Sequence, residues 1–294
     1  MKKLFTLAIL AAFAFVGCKE GAEPVEPTEE PGLEVENKQR STLIYYTATW
    51  CGPCGSYGSP AFKAVTNAID KSDLIAFDIH TGNSQLVAFY KNLENDSFYV
   101  SSANRLLNNL PLPGSIPAFF LNGGYEGTRV TTGDVQSAVN TYNATNPTVG
   151  VAAKAVSSGN NIEIETKAEF FKEAEGTYHL SALVIEKEVN FRQAVGGSYQ
   201  ESFDHKLIVK ASARDGKLQS QNLYGDDPIA TGTVAVGHTY EGKYTFEYSD
   251  NGTPSANFPN WQYQPTNTAI VVIVWKDLAN GNKEIVNSVM VDVE

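Results

Sequence analysis

The hydrophobic positions change period along this chain. Leu4 to Val16 form one apolar run, preceded by Lys2-Lys3 and closed by Gly17-Cys18. That run has the length of a signal-peptide core and is too short for a permanent membrane span. From Lys19 to Pro31 the chain is rich in Pro and Glu, has little to bury, and predicts an extended, self-repelling tether. Thr42 to Ala48 is dense in β-branched and aromatic residues and predicts a buried strand. Ala61, Val65, Ala68 and Ile69 recur at helical spacing, and Leu74 to Ile79 predicts a second strand. Leu86, Phe89, Tyr90 and Leu93, then Leu106, Leu107 and Leu110, predict helices inserted before Pro117. Ile116 to Leu121 predicts a third strand, returning through the Asn122-Gly123-Gly124 turn into Tyr125 to Val130. Val135, Ala138, Val139 and Tyr142 predict a closing helix capped by Asp134 or Thr132.

After Thr148 the helical period is nearly absent. Val149–Val156, Ile162–Phe171, Tyr178–Val189, Lys206–Ala213, Thr239–Tyr248, Ala269–Lys276 and Glu284–Val293 all read as strands. Asn280-Gly281 is a strong hairpin signal between the last two. Many strands separated by Gly, Asn and Asp turns predict a β-sandwich. The expected organisation is a leader over 1–17, a tether over 18–40, a mixed α/β domain over 41–146 and an all-β domain over 147–294.

The 294 residues suffice for two ordinary domains, and a 42% hydrophobic share supplies a core. The net charge of -11 repels phosphate backbones and argues against nucleic-acid binding. Trp261, Tyr263 and Trp275 are expected in packing rather than on a binding face.

Three cysteines are present: Cys18 behind the apolar run, and Cys51 and Cys54 in Trp50-Cys51-Gly52-Pro53-Cys54. A zinc site would need further cysteines or histidines at ligand spacing, whereas His80, His179, His205 and His238 are dispersed, so no metal is expected. With the strand before it and the helix after it, the motif places Cys51 at a helix N-terminus. There the free N–H groups and the dipole favour a thiolate, the species that attacks disulfides. Cys54, a turn along, is placed to resolve the mixed disulfide that results. Pro53 stiffens the turn where a missing N–H costs little.

Here the sequence resembles thioredoxin. Trp50-Cys51-Gly52-Pro53-Cys54 matches that family's active site residue for residue, and Ile116-Pro117 before an apolar strand matches its cis-proline segment. The resemblance implies a thioredoxin-like fold over 41–146, with Cys51 as nucleophile and Cys54 as resolving thiol. It also implies a substrate-binding surface of Trp50, Gly52, Pro53, Ile116 and Pro117, and no organic cofactor. In the family the backbone before the cis-proline pairs with an extended substrate, as in strand addition. Two departures stand out. Tyr45 occupies the family's buried-acid position, leaving Asp78 as a substitute if its side chain points inward. Gly55, Ser56, Gly58 and Ser59 make the first helical turns weak.

Phe15-Val16-Gly17-Cys18 resembles a bacterial lipobox, which implies lipidation of Cys18. The lipoprotein start, the CxxC unit, Tyr178–Lys187 and Phe203–Val209 together resemble the 28-kDa outer membrane proteins of Bacteroidota-type bacteria. The joint expectation is an α/β thioredoxin-like domain followed by an all-β sandwich domain, lipid-anchored at the cell envelope or outer membrane. It would exchange disulfides with protein substrates and take electrons from, or give them to, a partner dithiol such as a DsbD-type reductase. The competing expectation is a surface-binding lipoprotein whose Cys51–Cys54 disulfide is static.

Overall fold

A computed structural model describes residues 32–81, 110, 114–159, 161–213, 228–247 and 264–294. The leader, Cys18, the tether through Pro31, the segment expected to carry inserted helices from Leu86 to Leu107, and Trp261 and Tyr263 lie outside the described residues. Among the described residues no helix is long and apolar enough to cross a membrane.

The first strand, β1 (Ser41–Thr47), is buried along its whole length. It pairs in parallel with β2 (Leu74–His80), placing Tyr45 opposite Asp78, and antiparallel with β3 (Ala118–Leu121). β3 returns through Asn122 and Gly123, both at positive φ, into β4 (Gly124–Gly127). The period of two divides β1 between two cores. Leu43 and Tyr45 meet α1 (Ser59–Ala68) and α2 (Thr132–Asn143) through Phe62, Val65, Val135 and Val139, while Ile44 and Tyr46 face the opposite core. Thr131, rather than Thr132 or Asp134, caps α2. Its hydroxyl accepts from the Asp134 N–H at 3.2 Å and donates to the Asp134 carboxylate at 2.7 Å. This reciprocal arrangement satisfies a helix-start donor.

The remaining strands are β5 (Val149–Ser158), β6 (Asn161–Phe170), β7 (Ala174–Glu175), β8 (Tyr178–Val195), β9 (Ser198–Ser212), β10 (Thr233–Val234), β11 (Thr239–Glu247), β12 (Thr268–Asp277) and β13 (Lys283–Asp292). The fold is therefore mostly sheet with few helices. The order β13-β12-β8-β9-β2-β1-β3-β4 makes one eight-stranded sheet, and β11-β6-β5 makes a second of three strands. β12 reads as a continuous apolar run because it lies between β8 and β13, buried from Thr268 through Trp275. β6 alternates, burying Ile162, Ile164, Ala168 and Phe170 in the core shared with β8 and β12.

The boundary expected at 146–147 falls between α2 and β5, yet β2 joins β9 in parallel at Asp78 and Ile208. One core takes Ile44, Ile75 and Phe77 from before that point and Leu183, Val209 and Ile270 from after it. Residues Leu33–Glu294 accordingly form one compact unit. The folded part also begins earlier than a tether ending at residue 40 implies. Gln39 and Arg40 are buried: Gln39 Nε2 donates to Val286 O at 2.7 Å, and the Arg40 N–H to Asn287 Oδ1 at 3.1 Å. The backbone there has polar groups that β13 satisfies.

Candidate functional site

β1 delivers the chain to the dithiol loop. Ala48 O accepts from the Cys51 N–H at 3.1 Å, closing a turn that aims Cys51 at the start of the following helix. Pro53 has the helical φ of -57°, so its ring fits the first turn. The weak helix expected at Gly55–Ser59 takes the form of a π-turn over Cys54–Gly58 that runs into α1. Cys51 and Cys54 are joined as a disulfide. The Cys54 N–H lies 3.1 Å from Cys51 Sγ, an oriented donor for a thiolate on that sulfur. Cys54 is fully buried and Cys51 is 5% exposed, so the two sulfurs are unequally reachable.

The Ile116–Pro117 peptide is cis. Ile116 O lies 3.8 Å from Cys51 Sγ, and the half-buried Trp50 and Ile116 pack on a small cluster of Ala48, Cys51 and Cys54. Gly52 is half-buried and Pro53 is exposed. The structure thus brings together the residues expected at this site: Trp50, Cys51, Gly52, Pro53, Cys54 and Ile116, with Pro117 behind them.

Beneath Cys54 lies Tyr45, stacked between Phe62 and Phe119. Its hydroxyl donates to Cys54 O at 3.3 Å, meets Ser59 Oγ at 3.3 Å and accepts from Thr47 Oγ1 at 3.0 Å. Burial drives its phenol well above the ordinary tyrosine range, and the nearby Asp78 charge pushes the same way. The phenol therefore stays neutral and acts as a fixed hydrogen-bonding post. Asp78 does point inward: it is 3% exposed, with His80 Nε2 3.5 Å from its carboxylate. His80 meets the His205 ring edge-on at 5.7 Å between centroids.

The contact that sequence reasoning missed comes from far along the chain. β8 and β9 continue beyond the body of the sheet as a two-stranded arm, paired to its tip at Val195 and Ser198. The Ala194 N–H donates to Thr49 O at 2.7 Å, and the Gly196 N–H to Ser56 Oγ at 2.8 Å. Gln193 is fully buried, and its Nε2 donates to Cys51 O at 3.0 Å and Ala48 O at 3.2 Å. A Cβ on Gly55 would meet Gln193 Cγ and Val195 Cγ2 at 2.8 Å and overlap Ala194 O. One on Gly52 would overlap Gly196 O, and one on Gly58 would lie 2.9 Å from Pro117 Cβ. The glycines that weaken the helix are closely approached: Gly55 by the backbone of Ala194, and Gly58 by the Tyr45 hydroxyl and the Pro117 ring. The sequence signal was the Gly196-Gly197 pair between two polar stretches, a two-residue hairpin turn without an apolar alternation to flank it.

No family model matches the chain. Over 55 residues, 18% of this chain, it is 38% identical to a Dictyostelium discoideum protein named thioredoxin-5. The chain spans about half, 51%, of that relative. Among solved structures it is similar to HBP35 of Porphyromonas gingivalis, with a TM-score of 0.59 and 13% identity. That superposition covers 88% of this chain and 77% of HBP35, and it is a likeness of fold. Together with the disulfide, the thioredoxin similarity indicates a thiol-related role.

Proposed function

We propose that the chain is a thiol–disulfide oxidoreductase of the cell envelope, built from a thioredoxin-like unit joined to a β-sandwich and anchored through a lipid on Cys18. The observation that carries this reading is the asymmetry of the Cys51–Cys54 disulfide. Cys51 Sγ has a backbone N–H aimed at it and the Ile116 carbonyl beside it, while Cys54 is sealed. Reduction starts when a partner thiolate attacks Cys51 Sγ, and the S–S electron pair leaves on Cys54 as thiolate. A second thiolate of the partner then takes the new bond, leaving Cys51 as thiolate and the partner oxidised by two electrons. Reduction of a substrate disulfide runs the same steps backward: Cys51 attacks and Cys54 resolves. Ile116 and Pro117 would dock the substrate backbone, and Trp50 would shield the sulfur. The partners are protein dithiols and disulfides.

The test is capture. Cys54→Ser should hold substrates as mixed disulfides on Cys51 in non-reducing electrophoresis of envelope extracts, and Cys51→Ser should hold none. Equal patterns, or none in either, would favour the second reading, a binding lipoprotein with a static disulfide. The low exposure of Cys51 is the observation on that side.

A further inference from the structure

The dithiol loop is approached from two sides. On one, Cys51 Sγ faces Ile116 O at 3.8 Å, with the half-buried Trp50 packed beside it and Pro53, two residues along, exposed. On the other, the loop's carbonyls face the β8–β9 arm. Thr49 O, Ala48 O and Cys51 O accept from Ala194 and Gln193, and Gly196 closes over Gly52. Gln193 and Ala194 are buried, although the ribbon on either side of them is largely exposed. Gln193 donates its amide protons to Ala48 O, Cys51 O and its neighbour Ala194 O, and its Oε1 is buried without a hydrogen-bond partner among the described residues. The Gln193 amide therefore holds the dithiol loop by its carbonyls.

We infer that Gln193 and the Ala194–Gly197 tip are specificity-determining elements of the dithiol. They close its carbonyl side, so that among the described residues the approach to Cys51 left to a thiol runs along Ile116, and extended polypeptide thiols are preferred over groups that need a wide approach. This deepens the oxidoreductase reading and rests on it. The restriction is kinetic: the tip binds main-chain atoms that do not change between disulfide and dithiol, so it slows exchange in both directions alike. For dithiothreitol the exchange is balanced. One thiolate attacks Cys51 Sγ and releases Cys54 as thiolate; the second attacks the mixed disulfide, giving cyclic oxidised dithiothreitol and the Cys51 thiolate.

The test replaces Arg192–Ser202 by Asn-Gly, which lets Phe191 and Phe203, already paired across the arm, carry a two-residue turn. Gln193→Leu keeps the arm and removes its grip, and it carries the test if the shortened protein does not fold. Stopped-flow rates are measured for reduction by dithiothreitol, by glutathione and by a cysteine-bearing extended peptide, and for reoxidation by oxidised dithiothreitol. The shortened arm should speed dithiothreitol reduction and reoxidation together, by roughly tenfold or more, at an unchanged equilibrium. It should also level the advantage of the peptide over glutathione, with Gln193→Leu in between. Unchanged rates overturn the inference and leave the oxidoreductase reading standing. Acceleration in one direction alone also overturns it, because the loop itself would then have changed. An inert native disulfide that becomes reactive in the shortened protein supports the closure and sinks the oxidoreductase reading.

Discussion

Replacing Gly55 by alanine measures how firmly the arm is seated. In an ordinary helix the exchange stabilises by about 1 kcal/mol. Here the new methyl meets Gln193 Cγ and Val195 Cγ2 at 2.8 Å and overlaps Ala194 O, a backbone atom of the residue whose own N–H bonds Thr49 O. Overpacking of this kind costs about 1–3 kcal/mol. The alternative, lifting the tip, strips Ala48 O and Cys51 O of the Gln193 amide, at about 1–3 kcal/mol for each acceptor left buried. The chain takes the cheaper route, and that cost is set against the helix gain of about 1 kcal/mol, so a net loss of up to about 2 kcal/mol is expected, or up to roughly 8 °C in melting temperature for a protein of this size. Calorimetry and urea unfolding of the oxidised protein measure it. The same substitution in the protein with the shortened arm removes the obstacle and should be neutral or stabilising. Equal losses in both backgrounds would refute the reasoning, because the clash would then lie within the π-turn.

Cys18→Ala should release the protein from membranes into the soluble fraction, and cells fed labelled fatty acid should no longer label it. Tyr45→Asp should lower stability, by about 2 kcal/mol or more in urea unfolding, because it removes a stacked ring and sets a second buried carboxyl beside Asp78. Asp292 accepts from Lys187 and Lys71, each at 3.0 Å, and its carboxyl is held below the usual range, first by the Lys187 hydrogen bond. A depressed folded value means stability that is present above the unfolded aspartate range near pH 4 and lost as pH falls through the folded value. Asp292→Asn should therefore be less stable than the parent at pH 6, and the difference should shrink as pH falls below the ordinary aspartate range. The sheet and core shared across residue 146 predict a single thermal transition by calorimetry; two resolved transitions would show independent halves.

Much of this fold was legible because its strands are written in β-branched and aromatic runs. β1, β2 and β12 follow directly from such runs, and the dithiol and Ile116-Pro117 follow from short motifs with fixed chemistry. The arm was not legible. Asn190 to Asp204 is mostly polar because a two-stranded ribbon has little core to face, so the period-two signal that marks a half-buried strand is missing there. Apart from the Gln193 amide and the Ser56 hydroxyl, its contacts with the site run through backbone atoms and glycines, and two isolated polar side chains make no pattern in the sequence. The Gly55–Ser59 stretch read as a weak helix because the propensity scale registers entropy and not an incoming neighbour. Nor does the sequence say which way Asp78 points; that is settled by its pairing opposite Tyr45 on a strand buried on both faces.

The parallel join of β2 to β9 fixes an order of events as the chain is made. β1, β2, the dithiol loop and β3 are synthesised well before β9, whose first residue is Ser198. Until then the outer edge of β2 carries unpaired N–H and C=O groups on an apolar strand, the surface that other chains add to. The loop's carbonyls at Ala48, Thr49 and Cys51 wait for the same hairpin. A chain that folds in the order of its synthesis therefore has an open dithiol loop and a bare β2 edge until β9 exists. The β8–β9 ribbon meets both, pairing with β2 at Asp78 and Ile208 and with the loop at Thr49.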